Sequence, residues 1–150
     1  MYLTDPHPDD FSVFDADPVA TVVVRRRAVS GAQVPQLYDV AFARISAATK
    51  FGDVIAHGPP FSLFRSLGDT MDVDIGVPGV LAAADPNLLV SELPGGTLAR
   101  LSYRGPQEQL PLAWAEFSTR IAGQGLASIG PTWESYVNHT RRTDLYSVVA

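Results

Sequence analysis

One short segment of this chain occurs twice. Gly58-Pro59-Pro60-Phe61-Ser62-Leu63-Phe64 returns as Gly130-Pro131-Thr132-Trp133-Glu134-Ser135-Tyr136. Each copy follows a segment of helical spacing and precedes a strand-like run, Met71 to Val77 in one half and Asp144 to Val149 in the other. Ahead of each helix lies a β-rich run, Val19 to Val29 and then Thr97 to Tyr103. Corresponding segments are displaced by 72 to 77 positions (58 to 130, 20 to 97). So constant a displacement over four elements predicts two β-α-β-β units packed about a pseudo-twofold axis, with a cleft between them. Only the second copy sets a carboxylate, Glu134, beside its aromatics, and that asymmetry directs the search for function.

The apolar periodicities support this layout. Leu37, Val40, Ala41, Ile45 and Ala48 recur at helical spacing behind Pro35, a residue suited to a first helical turn, and Gly52 ends the run. Leu110, Trp114, Phe117 and Ile121 mark a second helix near 107–122, closed by Gly123 and Gly125. After a turn at Gly68-Asp69, Met71, Val73, Ile75 and Val77 alternate with Thr70, Asp72, Asp74 and Gly76, the pattern of a half-buried strand. The acidic face of that strand reads as solvated. Pro78 to Pro86 reads as a connector, and Leu88 to Glu92 as a short strand before the turn Pro94-Gly95-Gly96. The Asp- and Pro-rich residues 1–18 are expected to be mostly irregular. A single domain is expected over 19–150, in half-repeats of about 19–80 and 88–150.

Composition narrows the function classes. At 150 residues and 46% hydrophobic content the chain can bury a core without staples. The net charge of −5 disfavours phosphate-backbone binding. The absence of cysteine excludes disulfides, thiolate nucleophiles and Cys-based metal sites. No apolar run reaches the roughly 18 residues of a membrane span, and the N-terminus lacks an export-signal pattern. The chain is therefore read as cytoplasmic, with no membrane association. His7, His57 and His139 are scattered without ligand-like spacing, so no metal and no cofactor are expected.

Strand alternation puts Thr132, Glu134, Tyr136 and Asn138 on one face, and Trp133, Ser135 and Val137 on the other. A carboxylate among aromatic rings is costly unless hydrogen-bonded or paired. Glu134 is either a solvated group on an outer face or a held charge awaiting a cation. Tyr38, Phe42, Trp114 and Phe117 either pack the helices or, for Tyr38 and Trp114, line a cleft. Tyr103 closes a strand, and its hydroxyl is either a candidate pocket group or an anchor at the strand end.

Glu92-Leu93-Pro94-Gly95-Gly96-Thr97-Leu98-Ala99, then Tyr103-Arg104-Gly105-Pro106, a helix, and Gly130-Pro131-Thr132-Trp133-Glu134-Ser135-Tyr136 resemble the GyrI-like small-molecule-binding family. These are the effector-binding domains of multidrug-responsive MerR-type and AraC-type regulators, also found as free-standing proteins. The resemblance covers about 19–149 and is best in the second half. It implies an α+β fold of two β-α-β-β modules (SHS2 modules), a curved antiparallel sheet with two helices on one face. It further implies an aromatic cleft that takes hydrophobic or cationic small molecules, with Glu134 as the charged floor and Tyr136 and Trp133 beside it. Trp114, Tyr38, Phe61 and Tyr103 complete the expected ligand set. Some stand-alone relatives resemble a hydrolase that opens cyclopropane-bearing genotoxins with the motif Glu and a tyrosine. That alternative casts Glu134 and Tyr103 as catalytic, in a detoxification role. No helix-turn-helix segment is evident, so no direct DNA binding is expected.

Overall fold

The computed structural model describes residues 1–65, 69–137 and 141–150. Among these, nine strands and two helices follow the chain as β1 (Phe11–Ala16), β2 (Val19–Val29), α1 (Val34–Lys50), β3 (Val54–Ala56), β4 (Phe61–Phe64), β5 (Met71–Leu81), β6 (Leu89–Leu93), β7 (Gly96–Arg104), α2 (Leu110–Gly123), β8 (Ser128–Val137) and β9 (Arg142–Val149). The sheet order is β1-β7-β9-β8-β4-β5-β2-β6, with β3 added onto β5, and every pairing is antiparallel.

The halves repeat one another in detail. A 3-10 turn precedes each helix, Gly31–Gln33 and Gln107–Gln109, and Pro35 and Pro111 each sit in a first helical turn. Past each C-terminus stands a glycine in a left-handed conformation, Gly52 at φ 80° and Gly125 at φ 73°, where a side chain would be strained. Strands β4 and β8 pair directly, with Ser62 opposite Glu134. Those two residues are 134 − 62 = 72 positions apart, the same displacement as Gly58 and Gly130. Applied to the neighbouring pairs, this displacement exchanges Phe61↔Ser135 with Leu63↔Trp133. The pseudo-twofold axis therefore runs through the Ser62–Glu134 pair. Along the helices the displacement is 76, which makes Tyr38 the counterpart of Trp114 and Phe42 the counterpart of Ser118.

Both helices pack on one face of the sheet. Ala41, Ile45 and Ala48 of α1 meet Val22, Val24, Val73 and Ile75, while Ala113, Phe117 and Ile121 of α2 meet Ala99, Leu101 and Leu145. The opposite face has a core of its own, built on Phe61, Leu63, Trp133 and Tyr146, the last two stacked with ring centroids 5.1 Å apart. Curvature closes over that core. Asp17-Pro18 leads from β1 to β2 and Pro94-Gly95 from β6 to β7, so two short links draw opposite edges of the sheet together. The approach is close enough that a Cβ on Gly95 would lie 2.7 Å from Pro18.

Three sequence expectations are corrected. Residues 1–18 are ordered: a 3-10 turn at Tyr2–Thr4 buries Leu3, which is 1% exposed, in the second core, and β1 pairs with β7. Phe14 and Tyr2 cap the same core. Pro78 to Pro86 is not all connector, because β5 runs on to Leu81 to pair with β3. Asp74 is not solvated. It is 1% exposed and accepts hydrogen bonds from Arg25 and Arg65. Both strand faces are buried here, so alternation alone misreads the acidic side. The readings placed on Gly68, Asn138 and His139 lie outside the described residues.

Candidate functional site

The helix-side face of β4 and β8, at the axis, is where polar groups and rings converge. Glu134 is 7% exposed, and both of its oxygens accept hydrogen bonds. Trp114 Nε1 donates to Oε1 at 2.7 Å and the Tyr136 hydroxyl to Oε2 at 2.7 Å. Acceptance at both oxygens is the hydrogen-bonding pattern of a carboxylate. Among the described residues, none of the ion pairs includes Glu134. The tyrosine phenol oxygen also lies 3.0 Å from Ser62 Oγ.

Aromatic rings lock this arrangement. Phe42 meets the Tyr136 ring edge-on at 5.8 Å and 87°, and Tyr38 does so at 6.4 Å. Burial pushes the Tyr136 phenol well above its ordinary range, and the charge of Glu134 and the neighbouring Tyr38 add to the rise. Tyr38 rises as well, through burial and then through Glu134, against hydrogen bonds with Tyr136 and Ser62. Both phenols therefore stay protonated where a carboxylate is charged, and Tyr136 is fixed as a donor.

Two cavities meet at this carboxylate. One, of about 360 Å³, lies between Tyr38 and Phe42 of α1, Leu110 and Pro111 of α2, and Tyr136. The other, of about 490 Å³, lies between Phe64 and Met71 on one side and Phe117, Ser118 and Ile121 on the other, with Ser128, Thr132 and Ser147 on its floor. Glu134 and Trp114 line both, so they form a shared wall. Volumes of this size fall within the usual range for small-molecule sites, about 300–1,000 Å³.

Of the residues expected from the sequence, Glu134, Tyr136, Trp114 and Tyr38 are brought together here. Trp133 is fully buried on the opposite face of β8, against Tyr146, and Phe61 lies in the same core. Both are scaffold beneath the site, because strand alternation turns them away from Glu134. Tyr103 is corrected too: its hydroxyl donates to the Pro106 carbonyl at 2.7 Å, and it lines neither cavity around Glu134. Four contributors were missed. Ser62 and Phe64 share the face of Glu134 through the β4–β8 register, Phe42 packs on Tyr136, and Met71 lines the larger cavity. The repeat itself carried the signal for Ser62, which occupies in the first copy the place of Glu134 in the second.

No protein-family profile matches the sequence, and no curated protein sequence does. Solved structures do match. The C-terminal domain of EcmrR superposes with a TM-score of 0.74 at 13% identity, over 93% of this chain and 96% of that one. SAV2435 bound to tetraphenylphosphonium gives 0.66 at 13%, over 95% and 94%. A hydrolase from Listeria innocua gives 0.63 at 12%, over 94% and 92%. At these identities the likeness is one of fold. It bears out the fold that the resemblance implies: these neighbours share the α+β architecture of a curved antiparallel sheet with two helices on one face.

Proposed function

We propose that this chain is a small-molecule-binding module whose paired cavities take lipophilic cations, with Glu134 reading the charge. The observation that carries the proposal is the state of Glu134. It is nearly buried, held at both oxygens by Trp114 and Tyr136, and has no cationic partner among the described residues. A carboxylate removed from water and left without a counter-charge gains most when a cation arrives. The ring faces of Trp114, Tyr38 and Tyr136 add cation–π attraction, about 0.5–2 kcal/mol per contact. Apolar walls contribute roughly 25 cal/mol for each Å² they cover. Apolar and aromatic side chains make up most of the two linings, so shape is loosely specified and a range of amphipathic cations fits. The fold neighbour bound to tetraphenylphosphonium supports the reading and supplies the probe. Titration of the protein with tetraphenylphosphonium tests it: saturable binding that weakens in Glu134→Gln is expected, and absence of binding overturns it.

A second reading, hydrolysis of a strained electrophile, has one observation in its favour. Tyr136 donates its phenol directly to a buried carboxylate at 2.7 Å, so Glu134 could take a proton from a water entering on its cavity side while the phenol orients the base. Here Tyr136 replaces Tyr103 as the tyrosine of the pair. Glu134→Gln would remove the base and lower turnover of a cyclopropane-bearing alkylator by about 10²–10⁴-fold. Consumption of that compound at the buffer rate by the unaltered protein removes this reading and leaves the binding module standing.

A further inference from the structure

The two halves differ in how they fill the space between helix and sheet. In the first half, Phe42 of α1 lays its ring against Tyr136 and occupies that space. The counterpart of Phe42 is Ser118 of α2, and the counterpart of Tyr136 is Phe64. The ring-on-ring plug is therefore absent from the second half, and the cavity of about 490 Å³ lies where it would be, lined by both Ser118 and Phe64. Its walls are Phe64, Met71, Phe117 and Ile121, and among the described residues Glu134 is the one charged residue on its lining. Glu134 and Trp114 connect it with the smaller cavity, where Tyr38 and Tyr136 gather round the carboxylate.

We propose that the larger cavity is a tail subsite, which makes the preferred ligand a monocation carrying an extended alkyl or aryl tail. The proposal rests on Glu134 receiving the charged head. The head settles against the carboxylate and its rings, and the tail runs between α2 and β4 over the gap left by Ser118. On the floor Ser128 and Ser147 bond each other and Ser147 donates to the Val148 carbonyl, which leaves Thr132 as the hydroxyl that could meet an ether or amide within the tail. Ser118 is then a specificity-determining residue, since it keeps open a space that a ring closes in the other half. The single carboxylate at the axis, Glu134 facing Ser62, selects one positive charge rather than two.

The test uses two probes with one head, phenyltrimethylammonium and decyltrimethylammonium below its micelle concentration, titrated calorimetrically. Each methylene buried is worth roughly fourfold in affinity. The unaltered protein should therefore bind the decyl compound at least about tenfold more tightly than the phenyl compound. Ser118→Phe, on an exposed helix position that tolerates the ring, should abolish that advantage. Ser118→Ala, which keeps the gap, should retain the advantage. If the phenyl compound binds but the decyl compound gains nothing, or if Ser118→Phe leaves the gain intact, the tail subsite is overturned while the head site stands. If neither compound binds the unaltered protein, the head site falls and the subsite falls with it.

Discussion

Ser62 and Glu134 face each other across the β4–β8 ladder, and they are the same position of the two halves. An axis that passes through one residue pair makes every group near it appear twice unless the sequence differs. Here it differs at the centre, a hydroxyl on one side and a carboxylate on the other. It differs again in the flanking layer, where Trp114 answers Tyr38 and Tyr136 answers Phe64. A nearly symmetric scaffold thus holds, among the described residues, one carboxylate to which one indole donor and one phenol donor turn.

The buried face of β5 gives the first prediction. Burial alone would raise Asp74, but hydrogen bonds from Arg25 and Arg65 outweigh it and hold the carboxyl below its ordinary range. Arg65 is partly hydrated, so Asp74→Asn should cost about 2–3 kcal/mol, under the 3–5 of a fully enclosed pair. A folded-state value below the unfolded one, about 3.9, means that the stabilisation is complete above that pH and is lost as pH falls through the folded value. Urea unfolding at about pH 6 and pH 3 should show the gap between the variant and the unaltered protein narrowing in acid. A constant gap would contradict the assignment.

The N-terminal segment gives the second. Leu3 closes the core of Trp133, Phe61 and Tyr146, and the carbonyls of Asp5 and Pro6 accept hydrogen bonds from Arg142, itself paired with Asp144. Leu3→Ala should therefore destabilise the whole domain by about 2–5 kcal/mol, as a core truncation does. A change within about 0.5 kcal/mol in thermal unfolding would mean that the N-terminal turn adds little to the fold.

High pH gives the third. Tyr136 and Tyr38 are both raised, by burial first and by Glu134 next. A raised folded-state value stabilises the fold below the unfolded value, about 10, and that stability is lost as pH rises beyond it. The phenolate absorbance of these residues should appear late and together with unfolding, and Tyr136→Phe should reduce the late amplitude. Reversible ionisation of both near pH 10 in an intact fold would contradict their burial.

Both helices and strands β2 and β4 to β9 were legible because periodicity and turn chemistry are local. Gly58-Pro59 and Gly130-Pro131 announced equivalent strands, and Pro35 announced a helix start, while Pro111 left the start of the second helix open by a turn. What was not legible is what crosses the chain. Arg25 reaches Asp74 over 49 positions, and nothing in the alternation of β5 reveals that its acidic side is covered. Likewise β1 looks irregular until β7 supplies a partner. The site was half legible. Glu134 and Tyr136 share a face by alternation, and the same rule already sets Trp133 on the other. Phe42 and Ser62 needed the β4–β8 register and the helix packing to be seen beside them.

Indole fluorescence gives the fourth prediction. The two tryptophans are separated by the sheet, Trp114 at the cavities and Trp133 in the opposite core. Tetraphenylphosphonium should quench or shift emission from Trp114, so Trp114→Phe should lose the response and Trp133→Phe should keep it. A response that follows Trp133 instead would place the ligand away from Glu134.

The central claim is that Glu134 reads positive charge, and titration calorimetry of Glu134→Gln tests it most directly. Gln keeps the volume and can still accept from Trp114 or Tyr136, so the fold should persist, as circular dichroism would register. Affinity for tetraphenylphosphonium should fall by about 1.5–3 kcal/mol, the cost of losing a charge-assisted contact, while affinity for neutral triphenylphosphine oxide changes little. An equal loss for the cation and the neutral compound would mean that Glu134 shapes the cavity without reading charge, and the account would be contradicted.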